Sequence, residues 1–366
     1  MESEDSHKGD YEFVGMALQP AISITVSQEN LKGGGKMVSG TTNRECVLGM
    51  DLGGTKIAVA AVDASGEILS EGNFPSPSQD GEEMVKTFKA LIGQECGKYL
   101  ESGLRVRAVG IAAAGYILQK EGILMEAPNI AWRNAPLRKI AAEVTGLPVV
   151  LDNDANGAAA GERFVGATRG VDNSVYLTLG TGVGGGVYVD GKLLRGHRGM
   201  AGELGHIVID PNGPLCGCGN RGCLEAFASG TALGNEGAGL ARKNPDTVLL
   251  RMADGDPEAI DGRMVAEAVR QGDSVALRVL KIWSGHLGLG IVSLIHIFDP
   301  EMVVLGGGVS NSGDLFIDDV RRTVSQRGIP ALVEGIPIVL SESRGEAGVI
   351  GAAALAWEEI GGPPPA

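Results

Sequence analysis

Positive charge is in short supply in this sequence. Its 366 residues carry 31 lysines and arginines against 45 aspartates and glutamates, a formal net charge of -14. That deficit argues against non-specific nucleic-acid binding, which draws most of its free energy from basic side chains neutralising phosphates. It argues equally against docking on an anionic membrane. An anionic substrate would need a local basic or amide-lined pocket, because the overall field repels it. No run of 18 apolar residues is present, so no transmembrane helix is expected. The opening MESEDSHKGDYEF lacks the basic start and apolar stretch of a secretory signal. A cytoplasmic protein is therefore expected, its five cysteines being thiols or metal ligands rather than disulfides. Aromatic residues are scarce at 4%, whereas 58 residues are glycine. Glycine in that amount, without a triplet period, points to tight turns and close backbone approaches rather than to a fibre.

What is present reads as an α/β chain. The hydrophobic share of 43% is ample for a large core or two medium lobes. Residues 1–45 show no convincing periodicity beyond one β-like run, AISITV; LKGGGK and VSGTT read as linker, with Met16 and Met37 as alternative starts. From Cys46 the pattern runs strand (CVLGMD), glycine turn, strand (IAVAAVD), turn, strand (EILSEGNF). A helical pattern over roughly 80–102, the strand VRAVGIAAAG, a short helix at about 136–145 and the strand LPVVLD follow. Then SVYLTLG–TG–VGGGVYV–DG–KLL repeats the opening layout about 125 residues later, with Asp190-Gly191 as a strong hairpin signal. Two copies, each opening a lobe, predict a duplicated α/β unit facing itself across a cleft. The remainder predicts helices at about 229–241, 262–271 and 273–297, strands MVVLGG and IPIVL, and a closing helix from about 346.

Five stretches carry chemistry. Asp51-Leu52-Gly53-Gly54-Thr55-Lys56 lacks the spacing of a P-loop, yet a glycine turn between strands can aim several N–H groups at a phosphate. Thr55 and Lys56 add donors and charge, and Asp51 is placed to bind Mg²⁺; a plain glycine-rich hairpin explains the stretch about as well. The second copy, Gly180-Thr181-Gly182-Val183-Gly184-Gly185-Gly186, exceeds what a hairpin needs, and two opposed amide-rich turns could grip a polyphosphate chain. Gly306-Gly307-Gly308 follows a buried strand, where backbone could pass under a base or ribose. Leu151-Asp152-Asn153-Asp154-Ala155-Asn156 leads into an Ala-rich helix, for which a plain N-cap is a strong reading. The sharper one is a carboxylate that accepts a proton from a sugar hydroxyl, and both hold if Asn153 caps while Asp154 faces the cleft. Finally, His206 precedes Cys216, Cys218 and Cys223, a Cys₃His set that satisfies tetrahedral Zn²⁺ with four protein ligands and so marks a structural site. Glu203 and Glu225 flank that loop, where carboxylates suit vicinal hydroxyls, although surface glutamates are common. Cys46 and Cys96 read as inert core.

Six ordered motifs, DLGGTK, the PN pair of EAPNIAW, NDAN, GTGVGGG, AGELGH and CGCGNRGCLE, resemble the ROK family of sugar kinases and sugar-responsive repressors over about 46–360. Within that family the motifs look like those of the actinobacterial type of glucokinase. The resemblance implies an actin/hexokinase-like (ribonuclease H-like) fold of two α/β lobes. The small lobe would span 46–150, completed by the C-terminal helix, and the large lobe 151–345 with the zinc loop 206–223. The resemblance makes Asp154 the catalytic base and places Gly115, Asn129, Asn153, Glu203, His206 and Glu225 on the sugar. His206, Cys216, Cys218 and Cys223 become the zinc ligands. Gly53, Gly54, Thr55, Lys56, Thr181 and Gly182 surround the phosphates, and Gly307 and Gly308 lie near the nucleoside. The implied activity is transfer of phosphate from ATP, with Mg²⁺, to the 6-hydroxyl of glucose. N-acetylmannosamine, N-acetylglucosamine or fructose remain alternative acceptors, and polyphosphate an alternative donor. A repressor is disfavoured because residues 1–45 are too short, acidic and glycine-rich for a winged helix-turn-helix. Glucose and ATP are the expected partners, with assembly as a homodimer or homotetramer.

Overall fold

The computed structural model describes residues 44–76, 81–127, 130–343 and 347–362. The AISITV run, the linker stretches, both alternative starts and Asn129 lie outside the described residues. The first half runs β1 (Glu45–Leu52), β2 (Lys56–Asp63), β3 (Ile68–Pro75), α1 (Gly81–Glu101), β4 (Arg105–Ala113), β5 (Tyr116–Leu118), β6 (Ile123–Ala127), β7 (Ile130–Ala135), α2 (Leu137–Thr145), β8 (Val149–Asn153) and α3 (Asp154–Val165). The second begins with β9 (Ser174–Leu179), β10 (Val183–Val189) and β11 (Lys192–Leu193). Helices α4 (Leu224–Ala228), α5 (Gly230–Ala241), α6 (Val248–Met252), α7 (Gly262–Arg270) and α8 (Ser274–Phe298) follow. Then come β12 (Met302–Gly306), α9 (Ile317–Arg327), α10 (Pro330–Val333), β13 (Ile338–Leu340) and α11 (Ala347–Glu359).

Two five-stranded sheets result, ordered β3-β2-β1-β4-β8 and β11-β10-β9-β12-β13. They correspond strand for strand: the first three strands of each half pair antiparallel, β4 and β12 join β1 and β9 in parallel, and β8 and β13 extend β4 and β12 in parallel. The duplication therefore extends beyond the repeated hairpin to whole sheets. A small third sheet, β5-β6-β7, was not anticipated.

Strand β1 is buried on both faces, and its period of two sorts its side chains. Cys46, Leu48, Met50 and Leu52 join the core of α1 with Phe88 and Leu91. Val47 turns to a middle layer made by α3 and α11, which also collects Tyr176, Tyr188 and Val304 from the second sheet. Gly49 and Asp51 share Val47's face. A Cβ at Gly49 would sit 2.1 Å from Val349 O, and one at Gly110 on β4 would sit 1.7 Å from Ala352 O. Only glycine lets α11 settle onto these strands.

The fold starts slightly before Cys46: Arg44 pairs with Asp63 and Glu67. Helix α8 is long and apolar enough to cross a membrane, although 56% of its most apolar stretch is buried inside the protein. Trp283, Leu287, Ile291 and Ile295 place it in the core of the second half with Val175 and Leu177 of β9.

Candidate active site

The first glycine turn closes where Gly53 N–H donates to Lys56 O at 3.0 Å, leaving Gly54, Thr55 and Lys56 exposed. Asp51 lies one turn deeper, against the start of α11, where a Cβ on Gly348 would come within 2.2 Å of its Oδ2. Its pKa is pushed up to about 6, first by burial and then by the charge of Asp154, with Lys56 opposing. Two carboxylates thus face one space, and they repel.

Asp154 opens α3 directly after β8. Asn153 caps the helix, its Oδ1 accepting from Ala155 N–H at 2.8 Å, which leaves Asp154 without that duty. Asp154 Oδ1 accepts from the same N–H at 2.9 Å. The Asp154 side chain is open to the cleft, yet protein surrounds it elsewhere, and that desolvation raises its pKa against the lowering effect of these hydrogen bonds. Asn153 Nδ2 donates to Gly115 O at 3.3 Å. Gly115 has φ +122°, and a Cβ there would lie 2.3 Å from Glu126 O, so the position demands glycine.

Glu203 precedes a 3₁₀ turn, Leu204–His206. Burial raises its pKa, His206 lowers it, and Asp154 and Glu225 raise it further. Gly115, Asn153, Asp154 and Glu203 line one narrow cleft together with Gly185 and Gly202. The ring of His206 divides two tasks. Its Nε2 lies 3.9 Å from Glu203 Oε2, and its Nδ1 lies 3.6 Å from Cys216 Sγ.

Ligand atoms of His206, Cys216, Cys218 and Cys223 all lie within 4.8 Å of one another, and the Cys218 and Cys223 sulfurs are 3.7 Å apart. Tetrahedral zinc with ~2.3 Å bonds to sulfur separates neighbouring donors by ~3.8 Å, so the set fits that ion. Cys46 and Cys96 are buried elsewhere, each thiol pushed up to about 12 mainly by desolvation.

The second turn places Thr181 and Gly182 between β9 and β10. Gly307, at φ +82°, presses on the end of β9, where a Cβ would meet Leu179 O at 2.5 Å. Gly308 and Thr181 line a cavity of about 700 Å³ with Gly230, Thr231, Asn235 and Arg263. That volume lies within the range of cofactor-sized pockets.

Asp152, Arg195 and Asn156 escaped the sequence reading. Asp152 is fully buried; Arg195 Nε donates to it at 2.7 Å and Asn156 Nδ2 at 2.8 Å. The pair ties the loop that leads to Glu203 to strand β8, which ends one residue before Asp154. A charge inside a short buried strand was the available signal, since such a charge needs a partner.

Comparison with known proteins places these features in one lineage. The description "ROK family" matches residues 47–359. A glucokinase of Streptomyces coelicolor is 40% identical over 314 residues, covering 85% of this chain and 97% of that protein. The crystal structure of a ROK family glucokinase from Streptomyces griseus, in complex with glucose and AMPPNP, superposes with a TM-score of 0.70 at 40% identity, covering 86% of this chain and 99% of that one. A xylose repressor of Caldicellulosiruptor bescii is 33% identical over 90% of this chain and 83% of its own length. The described fold matches the two-lobed actin/hexokinase-like architecture of these kinases, and with nearly all of its folded length matched, the chain belongs to the ROK family.

Proposed function

We propose that the protein is a hexose kinase that moves the γ-phosphoryl group of ATP to the 6-hydroxyl of glucose. The observation that carries the reading is the convergence on Asp154: a desolvated carboxylate at a helix start, facing the cleft, within electrostatic reach of Asp51 beside the first glycine turn. Similarity to enzymes named for glucose supports that sugar as the acceptor.

Asp154 orients the acceptor hydroxyl and takes its proton as the oxygen attacks phosphorus; the bond to the bridging oxygen breaks and ADP leaves. Gly115, Asn153, Glu203, His206 and Glu225 supply acceptors and donors for the remaining hydroxyls, and Asn129 is assigned to the same group on the motif alone. The amides of Gly54, Thr181 and Gly182 with Thr55 and Lys56 offset phosphate charge, Gly53 closes the first turn on Lys56 O, and Gly307 and Gly308 lie under the nucleoside. Asp51 is the carboxylate available to magnesium accompanying ATP. Zinc, held by His206 Nδ1 and the three cysteines, would supply rigidity alone. With the loop so held, His206 would keep its Nε2 on the side of Glu203, 3.9 Å from Oε2.

The test is sugar-dependent ADP release over glucose, fructose, mannose and the N-acetyl hexosamines, with ATP and with polyphosphate. Glucose with ATP should give the highest kcat/KM. Absence of release with every sugar would refute a kinase and favour the sensing role of the repressor relatives.

A further inference from the structure

The segment that leaves the metal loop does more than carry Glu225. Between Cys223 and Thr231 it lies along the second glycine turn and holds it at three points. Val183 N–H donates to Glu225 Oε2 at 3.0 Å. Gly230 N–H donates to Gly180 O at 2.7 Å. Thr231 Oγ1 donates to Thr181 O at 2.8 Å. The fit is close: a Cβ on Gly182 would sit 2.4 Å from Glu225 Oε2, and one on Gly230 would sit 2.8 Å from Gly180 O. At its other end the segment is fastened to the metal loop, because Cys223 contributes a ligand atom and Cys216 Sγ lies 3.3 Å from Glu225 Oε1.

A glycine-rich turn has many backbone states of similar energy, so its amides point usefully only if something outside the turn holds it. Within the turn itself the backbone bond is Gly180 N–H to Gly182 O, at 3.0 Å. Gly205 and Gly307 pack against its two ends, and three hydrogen bonds to it come from residues 225–231.

We infer that Cys223–Thr231 positions the turn Gly180–Val183 for the donor nucleotide, with Thr231 and Glu225 as positioning residues, so that the metal loop sets donor as well as acceptor affinity. The inference rests on the assignment of that turn to the phosphates. Thr231 is the clean probe: Thr231→Val keeps shape and removes one hydroxyl, and Thr231→Ser restores it.

Binding of Mg²⁺ and the non-hydrolysable analogue AMPPNP, without sugar, should be measured by calorimetry on the full chain. Loss of one hydrogen bond of ordinary net strength predicts roughly three- to ten-fold weaker binding in Thr231→Val. The KM for ATP should rise in parallel, while glucose affinity and zinc content stay put and Thr231→Ser returns to wild type. Chelation of zinc should weaken AMPPNP binding in protein that keeps its native circular dichroism, and added zinc should restore it. If wild type fails to bind AMPPNP, the donor-site assignment and this inference fall together. If wild type binds and Thr231→Val binds equally well, or if its glucose affinity falls by the same factor, only the inference is overturned.

Discussion

Replacing Asp51 by Asn should make the protein more stable at alkaline pH while impairing it as a kinase. The folded chain raises this carboxyl from its ordinary 3.8 to about 6, through burial first and Asp154 second. Above pH 6 folded and unfolded chains both carry the charge, and the folded one bears the full desolvation and repulsion. Below pH 4 both are protonated and the difference vanishes. Between those limits the folded chain binds the proton first, so the penalty grows as pH rises. At ~1.4 kcal/mol per pH unit the gap corresponds to ~3 kcal/mol at pH 8. With an unfolding entropy of ~2.1 cal/mol/K per residue, that is ~4 °C in Tm for a chain of this size. Trp132, Trp283 and Trp357 are buried in three separate clusters, so their fluorescence follows unfolding throughout the molecule. Asp51→Asn should exceed wild type by up to ~4 °C at pH 8 and match it near pH 4. The gain should shrink in an Asp154→Asn background, where one of the two causes is already gone. A gain equal at both pH values, or none at pH 8, would refute the electrostatic account.

Asp154→Asn should lower kcat by ~10²–10⁴-fold while leaving glucose affinity largely intact, read by coupled assay and calorimetry. In wild type, kcat should fall with acidification at a pH above the ordinary carboxylate range, because the raised pKa of Asp154 makes the proton-accepting form vanish earlier. Cys218→Ser should remove zinc and lower both Tm and activity; less than about half an equivalent of zinc in fully active wild type would contradict a structural metal. Glucose should tighten AMPPNP binding by about 5–150-fold, reciprocally, because the groups assigned to catalysis sit on both halves. Equal nucleotide affinity with and without glucose would mean a preformed cleft.

How much of this was legible depended on the distance over which a signal had to be read. The metal set lies within 18 residues of chain, and the glycine spacing exposed it directly. The repeated hairpins were equally plain, since alternation and turn chemistry are local. The fuller correspondence, β4 and β8 with β12 and β13, was hidden because parallel strands buried on both faces are apolar runs without a distinguishing period. Strands β5 to β7 have three to six residues each, too short for a period to show. Helix α9 did carry a pattern, Ile317, Val320 and Val324, now buried, and the sequence reading passed over it. Asp152 and Arg195 stand 43 residues apart, and no local rule links them. Glu162 is similar: its buried carboxylate accepts from Ala167 N–H at 2.9 Å, Ser343 N–H at 3.1 Å and the Ser341 hydroxyl, bonding α3 to the segment after β13.

The two glycine turns show what duplication permits. They occupy equivalent places, between the first and second strands of equivalent sheets, and each closes on a backbone bond of its own, yet their side chains and outside contacts differ. The first keeps its ionisable groups in the turn itself, with Asp51 before the glycines and Lys56 after them, and closes on its own backbone through Gly53 and Lys56. The second has no charged residue from Gly180 to Gly186 and, besides its own Gly180–Gly182 bond, is held from outside by Glu225, Gly230 and Thr231. A charged turn can attract magnesium and phosphate, but its acid is penalised first by burial and then by Asp154 across the cleft, which together raise the pKa of Asp51. A neutral turn offers amides without that penalty, provided that another element fixes it. One copy supplying charge and the other fixed dipoles avoids placing a second carboxylate pair beside Asp154. In the present chain the second turn carries neither acid nor lysine, and its contacts with Glu225, Gly230 and Thr231 leave its glycine backbone held without them.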